Sequence, residues 1–293
     1  MSESLKERLA YWTYAGAERA AELLPVRAGR RIFELGGRLA YRLMGGARST
    51  VAGNFSRVLG SPADSEAVQA TTREAFRLYA RYWYETFRLR VTPREEFDKR
   101  MSYEGLEHFE EALSKGNGVI AVLPHMGNWD AAGHWLALAG YQVVSVAEEL
   151  KPERLLELFK RHREELGVTI LTLSSNGHVG KRLAEYLNDN WIVALIADRD
   201  LSGRGVEVEM FGGKRTLPAG PALLSVTTGA PILVCPVYTT DEGWFCRASA
   251  PIEFERTGNT RDDVRAATRK MAEEFERAIA AHPVDWHMFQ PAW

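Results

Sequence analysis

An imidazole and several carboxylates stand at places where they could move a proton. His125 opens the run His125-Met-Gly-Asn-Trp-Asp130, which follows the apolar stretch Val119–Leu123. Gly127 lets backbone approach a ligand closely, and Asp130 falls in the first turn of the next helix. Five residues across a turn can bring a carboxylate to one ring nitrogen and leave the other as a general base. Two further charged runs follow apolar ones: Val146-Ala-Glu148-Glu149 and Ala197-Asp198-Arg199-Asp200. Arg161 and Arg163 lie in a helical stretch, 152–167, where a guanidinium could clamp an anion or a carboxylate.

A lone histidine in such a place is most simply a helix cap. Charge gathered at the ends of several apolar runs is hard to explain by packing, and it moves the reading of His125 to catalysis. His134 adds a third potential metal ligand to His125 and Asp130, but no H-E-x-x-H or comparable spacing accompanies it, so no metal is expected. The chain has no G-x-S-x-G elbow, no G-x-G-x-x-G and no Walker-type loop. Neither cysteine, Cys235 or Cys246, and no serine lies in the His125 segment. The expected reaction is therefore direct attack by a substrate hydroxyl, with His125 as base and no covalent enzyme intermediate.

The elements that must hold these groups follow from the hydrophobic rhythm. After Gly116, apolar runs at 118–123, 142–147, 168–173 and 191–197 alternate with helical stretches at 128–138, 152–167 and 178–187. That βα alternation predicts an α/β fold with a mainly parallel central sheet flanked by helices on both faces. Ligands in such sheets bind beyond the carboxyl ends of the strands, where the charged runs fall. Further strands are expected at 206–211, 232–238 and 244–249, the last two as a hairpin, and a closing helix at 261–281. Residues 1–115 read as a helical amino-terminal extension, with a first helical segment carrying Leu5, Leu9 and Trp12 that Pro25 stops and others near 27–44 and 65–90, so that 1–293 forms a single domain. Phe76, Tyr79, Trp83 and Phe87 share a face of the third helix and read as core, with Arg77, Arg81 and Arg88 opposite.

Of the 293 residues, 45% are apolar and 26% charged, the balance of a globular chain with a sizeable core. No apolar run approaches the roughly 18–20 residues of a spanning helix, and the amino terminus carries no secretory h-region. The net charge of −2 hides a polarity: residues 1–100 hold 18 Lys/Arg against 12 Asp/Glu, the remainder 19 against 27. The basic end therefore points to a polyanion or an anionic membrane. In 27–44, Ile32, Gly36, Leu39 and Leu43 form one stripe beside a second of Arg27, Arg31, Arg38 and Arg42, an arrangement shared by helices at lipid surfaces and by ordinary surface helices.

Beyond single residues, a series of motifs resembles a known family. It consists of His125-Met-Gly-Asn-Trp-Asp130, Ala147-Glu148-Glu-Leu-Lys-Pro-Glu153, Ala197-Asp198-Arg199-Asp200-Leu, Gly205-Val-Glu-Val-Glu-Met-Phe-Gly212, Leu217-Pro-Ala-Gly-Pro-Ala222 and Asp285-Trp-His-Met-Phe-Gln-Pro291. The series resembles the bacterial lipid A late acyltransferase branch of the HxxxxD glycerolipid acyltransferases, and within it the actinobacterial phosphatidylinositol mannoside acyltransferases. The resemblance implies transfer of a long acyl chain, typically palmitoyl, from acyl-CoA to a mannose hydroxyl of a phosphatidylinositol mannoside. Another glycolipid or a lysophospholipid is the alternative acceptor.

By the same resemblance His125 is the general base and Glu148 orients its imidazole. Asp130 supports the local geometry or the substrate hydroxyl, while Arg163, Asp198, Arg199 and Asp200 hold the head group and the charge balance. Backbone N–H groups of Gly127 and Asn128 are candidates for the oxyanion. The family carries Glu where this chain has Asp198, one methylene shorter. The implied partners are acyl-CoA as co-substrate, the acceptor lipid and an anionic membrane surface, with no nucleic acid, no metal and no bound cofactor. The expected location is the cytoplasmic face of the plasma membrane.

Overall fold

The computed structural model describes residues 3–173, 178–201 and 203–293. Its helices are α1 (Leu5–Leu23), α2 (Val26–Leu43), α3 (Gly45–Val58), α4 (Glu66–Arg88), α5 (Arg94–Arg100) and α6 (Leu106–Ser114), then α7 (Trp129–Leu138), α8 (Glu153–Glu165), α9 (Val179–Asn188), α10 (Gly220–Thr228) and α11 (Thr260–Ala281). The strands are β1 (Met101–Glu104), β2 (Val119–Leu123), β3 (Val143–Ala147), β4 (Val168–Thr172), β5 (Ile192–Ile196), β6 (Val206–Met210), β7 (Gly213–Leu217), β8 (Ile232–Val234), β9 (Val237–Thr239) and β10 (Trp244–Arg247).

The central sheet runs β4-β3-β5-β2-β8 with every pair parallel. Both faces are covered, because continuous apolar strands must be buried on each side. Ile120, Val122, Val144 and Val193 pack toward α9, α10 and α11. Val119, Ala121, Val143 and Ile192 pack toward α6 and α7. The α/β class with helices on both faces is the one expected.

Three details depart from the sequence reading. Strand β1 lies inside the stretch read as helical and pairs in parallel with β10, so residues 1–115 contribute a strand to a second, three-stranded sheet. The strand expected over 232–238 is split at Pro236: β8 joins the central sheet and β9 pairs with β10. Proline cannot donate to a ladder and so marks the point where the chain changes sheets. Arg81 is buried in an ion pair with Glu85, 2.8 Å, and is not on a solvated face.

Helix α2 crosses α4 very closely, and glycine is the reason. A Cβ at Gly29 would lie 2.5 Å from the Tyr84 ring, and one at Gly37 would lie 2.5 Å from the Phe76 carbonyl. The glycine face is therefore the buried one, and the apolar stripe points outward. Ile32, Leu35, Leu39 and Leu43 are exposed, as are Arg27, Arg31, Arg38 and Arg42. Leu5, Leu9 and Trp12 on α1 are exposed too. No helix among the described residues is long and apolar enough to cross a membrane.

Candidate active site

The sheet register brings His125 to Asp198. Leu123 at the end of β2 pairs with Ile196 at the end of β5, and Ala197 N donates to Leu123 O at 2.9 Å. Two residues beyond each paired position, the side chains of His125 and Asp198 meet, with Nδ1 2.5 Å from Asp198 Oδ1. The His125 amide donates to Oδ2 at 3.0 Å and Trp286 Nε1 donates to the same oxygen at 2.8 Å. Asp198 is fully buried, and burial alone would raise its pKa. The imidazole, the Trp286 indole and the His125 amide outweigh that and bring it down to about 2. An ionised carboxylate on Nδ1 fixes the tautomer in which Nε2 accepts a proton. The imidazole itself remains partly open, with 24% of its side chain exposed.

Glu148, expected to orient the imidazole, does not reach it: its carboxylate pairs with Arg199 at 2.5 Å and its side chain is 45% exposed. The reason is strand order. β3 carries Glu148 and is separated from β2 by β5. Asp130 does not reach the imidazole either. It is buried between α4 and α8, where Arg163 Nε donates at 2.7 Å and Tyr82 Oη at 2.8 Å. Burial works to raise its pKa, and the Arg163 charge and hydrogen bond overcome this and lower it. Arg163 is thus committed to Asp130 while still lining the cavity.

Gly127 and Asn128 build the turn. Gly127 has φ +55°, a Cβ there would lie 2.3 Å from Val237 O, and its amide donates to Asp285 O at 3.0 Å, so that N–H is not available to an oxyanion. Asn128 is buried and caps α7 by accepting from Ala131 N at 2.9 Å. Asp200 accepts from Gly205 N at 2.8 Å and lines the cavity with Arg199. His134 turns away from both His125 and Asp130: its Nδ1 bonds Leu166 O at 2.8 Å and its ring packs on Phe97. The three residues weighed as metal ligands therefore do not converge, and no metal-binding group occurs among the described residues.

A cavity of about 950 Å³ opens over His125. Its polar end holds His125, Glu148, Arg163, Arg199, Asp200 and His287. Its walls are mainly apolar and include Leu156, Phe159, Leu183, Leu195 and Leu224 from both sides of the sheet end. Tyr79 and Trp83, read as core, line it as well.

The family profile described as bacterial lipid A biosynthesis acyltransferase matches residues 2–293. The chain belongs to that family. It is 38% identical to a phosphatidylinositol mannoside acyltransferase of Mycobacterium tuberculosis, over 96% of this chain and 88% of the relative. It is 36% identical to a protein of the same name from Mycolicibacterium smegmatis, over 96% of this chain and 90% of the relative. A lipid A biosynthesis acyltransferase of Haemophilus influenzae is 23% identical over 71% of this chain and 64% of the relative.

In an acyltransferase of this family the arrangement has an evident chemistry: a hydroxyl at Nε2 of His125 can lose its proton as it attacks an acyl carbonyl. The carboxyl-terminal segment supplies parts that sequence reasoning passed over. Trp286 holds Asp198. His287 Nε2 meets Gly127 O at 3.2 Å, leaving Nδ1 as a buried acceptor without a protein partner. Burial brings the His287 pKa down to about 3, so the ring is neutral and accepts a hydrogen bond at Nδ1. The motif Asp285-Trp-His-Met-Phe was visible as a resemblance, but nothing in its spacing tied it to His125.

Proposed function

We propose that this protein transfers a long acyl chain, palmitoyl being the expected one, from acyl-CoA to a mannose hydroxyl of a phosphatidylinositol mannoside. The observation that carries the reading is the His125–Asp198 pair at the polar end of a largely apolar cavity. The names of the two mycobacterial relatives supply the acceptor class. A volume of about 950 Å³ is at the upper end for small-molecule sites and has room for a chain as well as a sugar. Each methylene buried in it contributes about 0.8 kcal/mol, so the tail anchors the donor while the thioester stays near the imidazole.

His125 acts as general base on the sugar hydroxyl, and Asp198 steadies the imidazolium that forms. Trp129 Nε1 and Arg199 Nε, both buried in the cavity wall without a partner, replace the Gly127 amide as oxyanion donors. His287 Nδ1 and the Asp200 carboxylate accept from sugar hydroxyls. The thiol of coenzyme A leaves with the proton that His125 carries.

The acceptor is an anionic lipid that stays in its membrane, and α1 and α2 form the docking surface. Leu5, Leu9, Trp12, Ile32, Leu39 and Leu43 enter the interface while the four α2 arginines meet lipid phosphates. On this reading the enzyme works peripherally at the cytoplasmic face of the plasma membrane.

Purified protein offered radiolabelled palmitoyl-CoA with a phosphatidylinositol mannoside, with lipid A precursors and with lysophospholipids tests the reading. Label moving to the mannoside, in an alkali-labile ester, is the expected result. Label moving only to another acceptor overturns the mannoside assignment, and failure of palmitoyl-CoA to serve any acceptor overturns the donor.

A further inference from the structure

The catalytic carboxylate is held from behind by a residue near the end of the chain. Trp286 is 1% exposed and its Nε1–H donates to Asp198 Oδ2 at 2.8 Å. That oxygen also accepts from His125 N at 3.0 Å, so Oδ2 is tied by two donors and Oδ1 alone is left to face the imidazole. Carboxylate torsions are broad and nearly two-fold, so without such ties Asp198 would sample orientations that do not serve Nδ1.

The backbone around Trp286 reinforces the grip. Met126 and Trp286 form an antiparallel bridge, Gly127 N donates to Asp285 O at 3.0 Å, and His287 N donates to His125 O at 2.7 Å. From the other side Arg215 of β7 donates to the Asp198 carbonyl at 2.5 Å, and its guanidinium lies 5.7 Å from the Trp286 ring centre. Asp198 is also an aspartate, whose short side chain gives the carboxylate little reach of its own.

We propose that Trp286 is a positioning residue for proton transfer: its indole N–H fixes one oxygen of Asp198, so that the other is held in line with His125. Trp286 touches neither substrate nor the reacting atoms and acts through Asp198. The charged or titratable groups around the pair are Arg215 from β7, Asp285 and His287 from the same strap as Trp286, and Glu148, Arg163, Arg199 and Asp200 around the cavity. The proposal rests on the reading of His125 as general base.

The test is a double-mutant cycle in the acyl-transfer assay. Trp286→Phe keeps an aromatic ring and removes the donor. A lost hydrogen bond to a charged group lowers kcat by about ten- to a hundredfold, with KM for donor and acceptor within about twofold. The acid limb of the kcat/KM profile moves to higher pH, because a less hydrogen-bonded carboxylate holds the imidazolium more strongly. In an Asp198→Ala background, Trp286→Phe changes kcat by less than about twofold, since the group it acts through is gone. An undiminished kcat in Trp286→Phe overturns the proposal, as does an equal loss in both backgrounds, which marks a merely structural role.

If Trp286→Phe does not fold, the intact indole is read directly. The chain has eight tryptophans, and in Asp198→Ala protein one indole N–H resonance loses its downfield position. A spectrum in which none moves overturns the proposal. His125→Ala in the same assay separates the two claims: if it retains turnover the general-base reading fails, whereas its inactivity beside a fully active Trp286→Phe defeats only the role of Trp286.

Discussion

Asp130 and Asp198 are both buried and both held ionised, yet they do different work. Asp130 faces a guanidinium that never gives up its charge, and the pair, closed by Tyr82, ties α4, α7 and α8 together. Asp198 faces the His125 imidazole, and the other hydrogen bonds to its carboxylate come from neutral donors. The partner decides the function. A carboxylate against arginine is a fastener, and one against histidine beside an open cavity is, in the proposed mechanism, the support of a general base. The HxxxxD spacing invited the opposite assignment, with Asp130 as the candidate partner of His125.

Substitutions separate the two. Asp198→Asn keeps the shape but removes the charge that steadies the imidazolium, and kcat falls by about 10³- to 10⁴-fold. Loss smaller than tenfold would erase the distinction. Asp130→Asn strands the Arg163 charge in the interior and destabilises by about 3–5 kcal/mol, read as a lower denaturant midpoint. An Asp130→Asn protein of wild-type stability would show that the Arg163 pair fastens nothing.

Acid titration sharpens the comparison further. Asp198, with its pKa brought down to about 2, contributes stability above the ordinary carboxylate range and loses it as pH falls toward 2. Asp285 has the opposite sign: burial raises it to about 6, so its favourable contribution is present at low pH and is lost as pH rises through 6. Unfolding followed from pH 2 to 8 should lose part of its acid-side slope in Asp198→Asn and flatten between pH 4 and 6 in Asp285→Asn. Unaltered curves would contradict the assigned partners.

The smallest effect is expected at Glu148. Its carboxylate pairs with Arg199 and not with the ring, and Glu148→Gln should cost less than about tenfold in kcat, appearing mainly in KM. A loss as deep as that of Asp198→Asn would restore Glu148 as the partner of the imidazole.

The sheet and its loaded strand ends were legible because apolar runs alternate with helical ones, and because charge following an apolar run marks a strand's carboxyl end. His125, Asp198, Arg199 and Asp200 were found that way and Arg163 from its helix; all but Asp198, which is buried behind His125, line one cavity. What was not legible was adjacency. Only the register of β2 with β5 sets His125 beside Asp198, and strand order is a tertiary property that chain order misreported. The strap at 285–287 lies about 160 residues from His125 and carried no local signal of its role. The stripes on α2 were visible, but their direction depended on Gly29 and Gly37, whose missing side chains bury the face that looks least hydrophobic.

The central claim is that His125 takes the proton from the attacking hydroxyl. Single-turnover transfer from palmitoyl-CoA, run with wild-type and His125→Ala protein at matched donor occupancy, reads that step without interference from product release. The expected result is a rate at least about 10³-fold lower in the variant, with palmitoyl-CoA bound as tightly as before. A variant that still transfers within tenfold of the wild-type rate would contradict the mechanism.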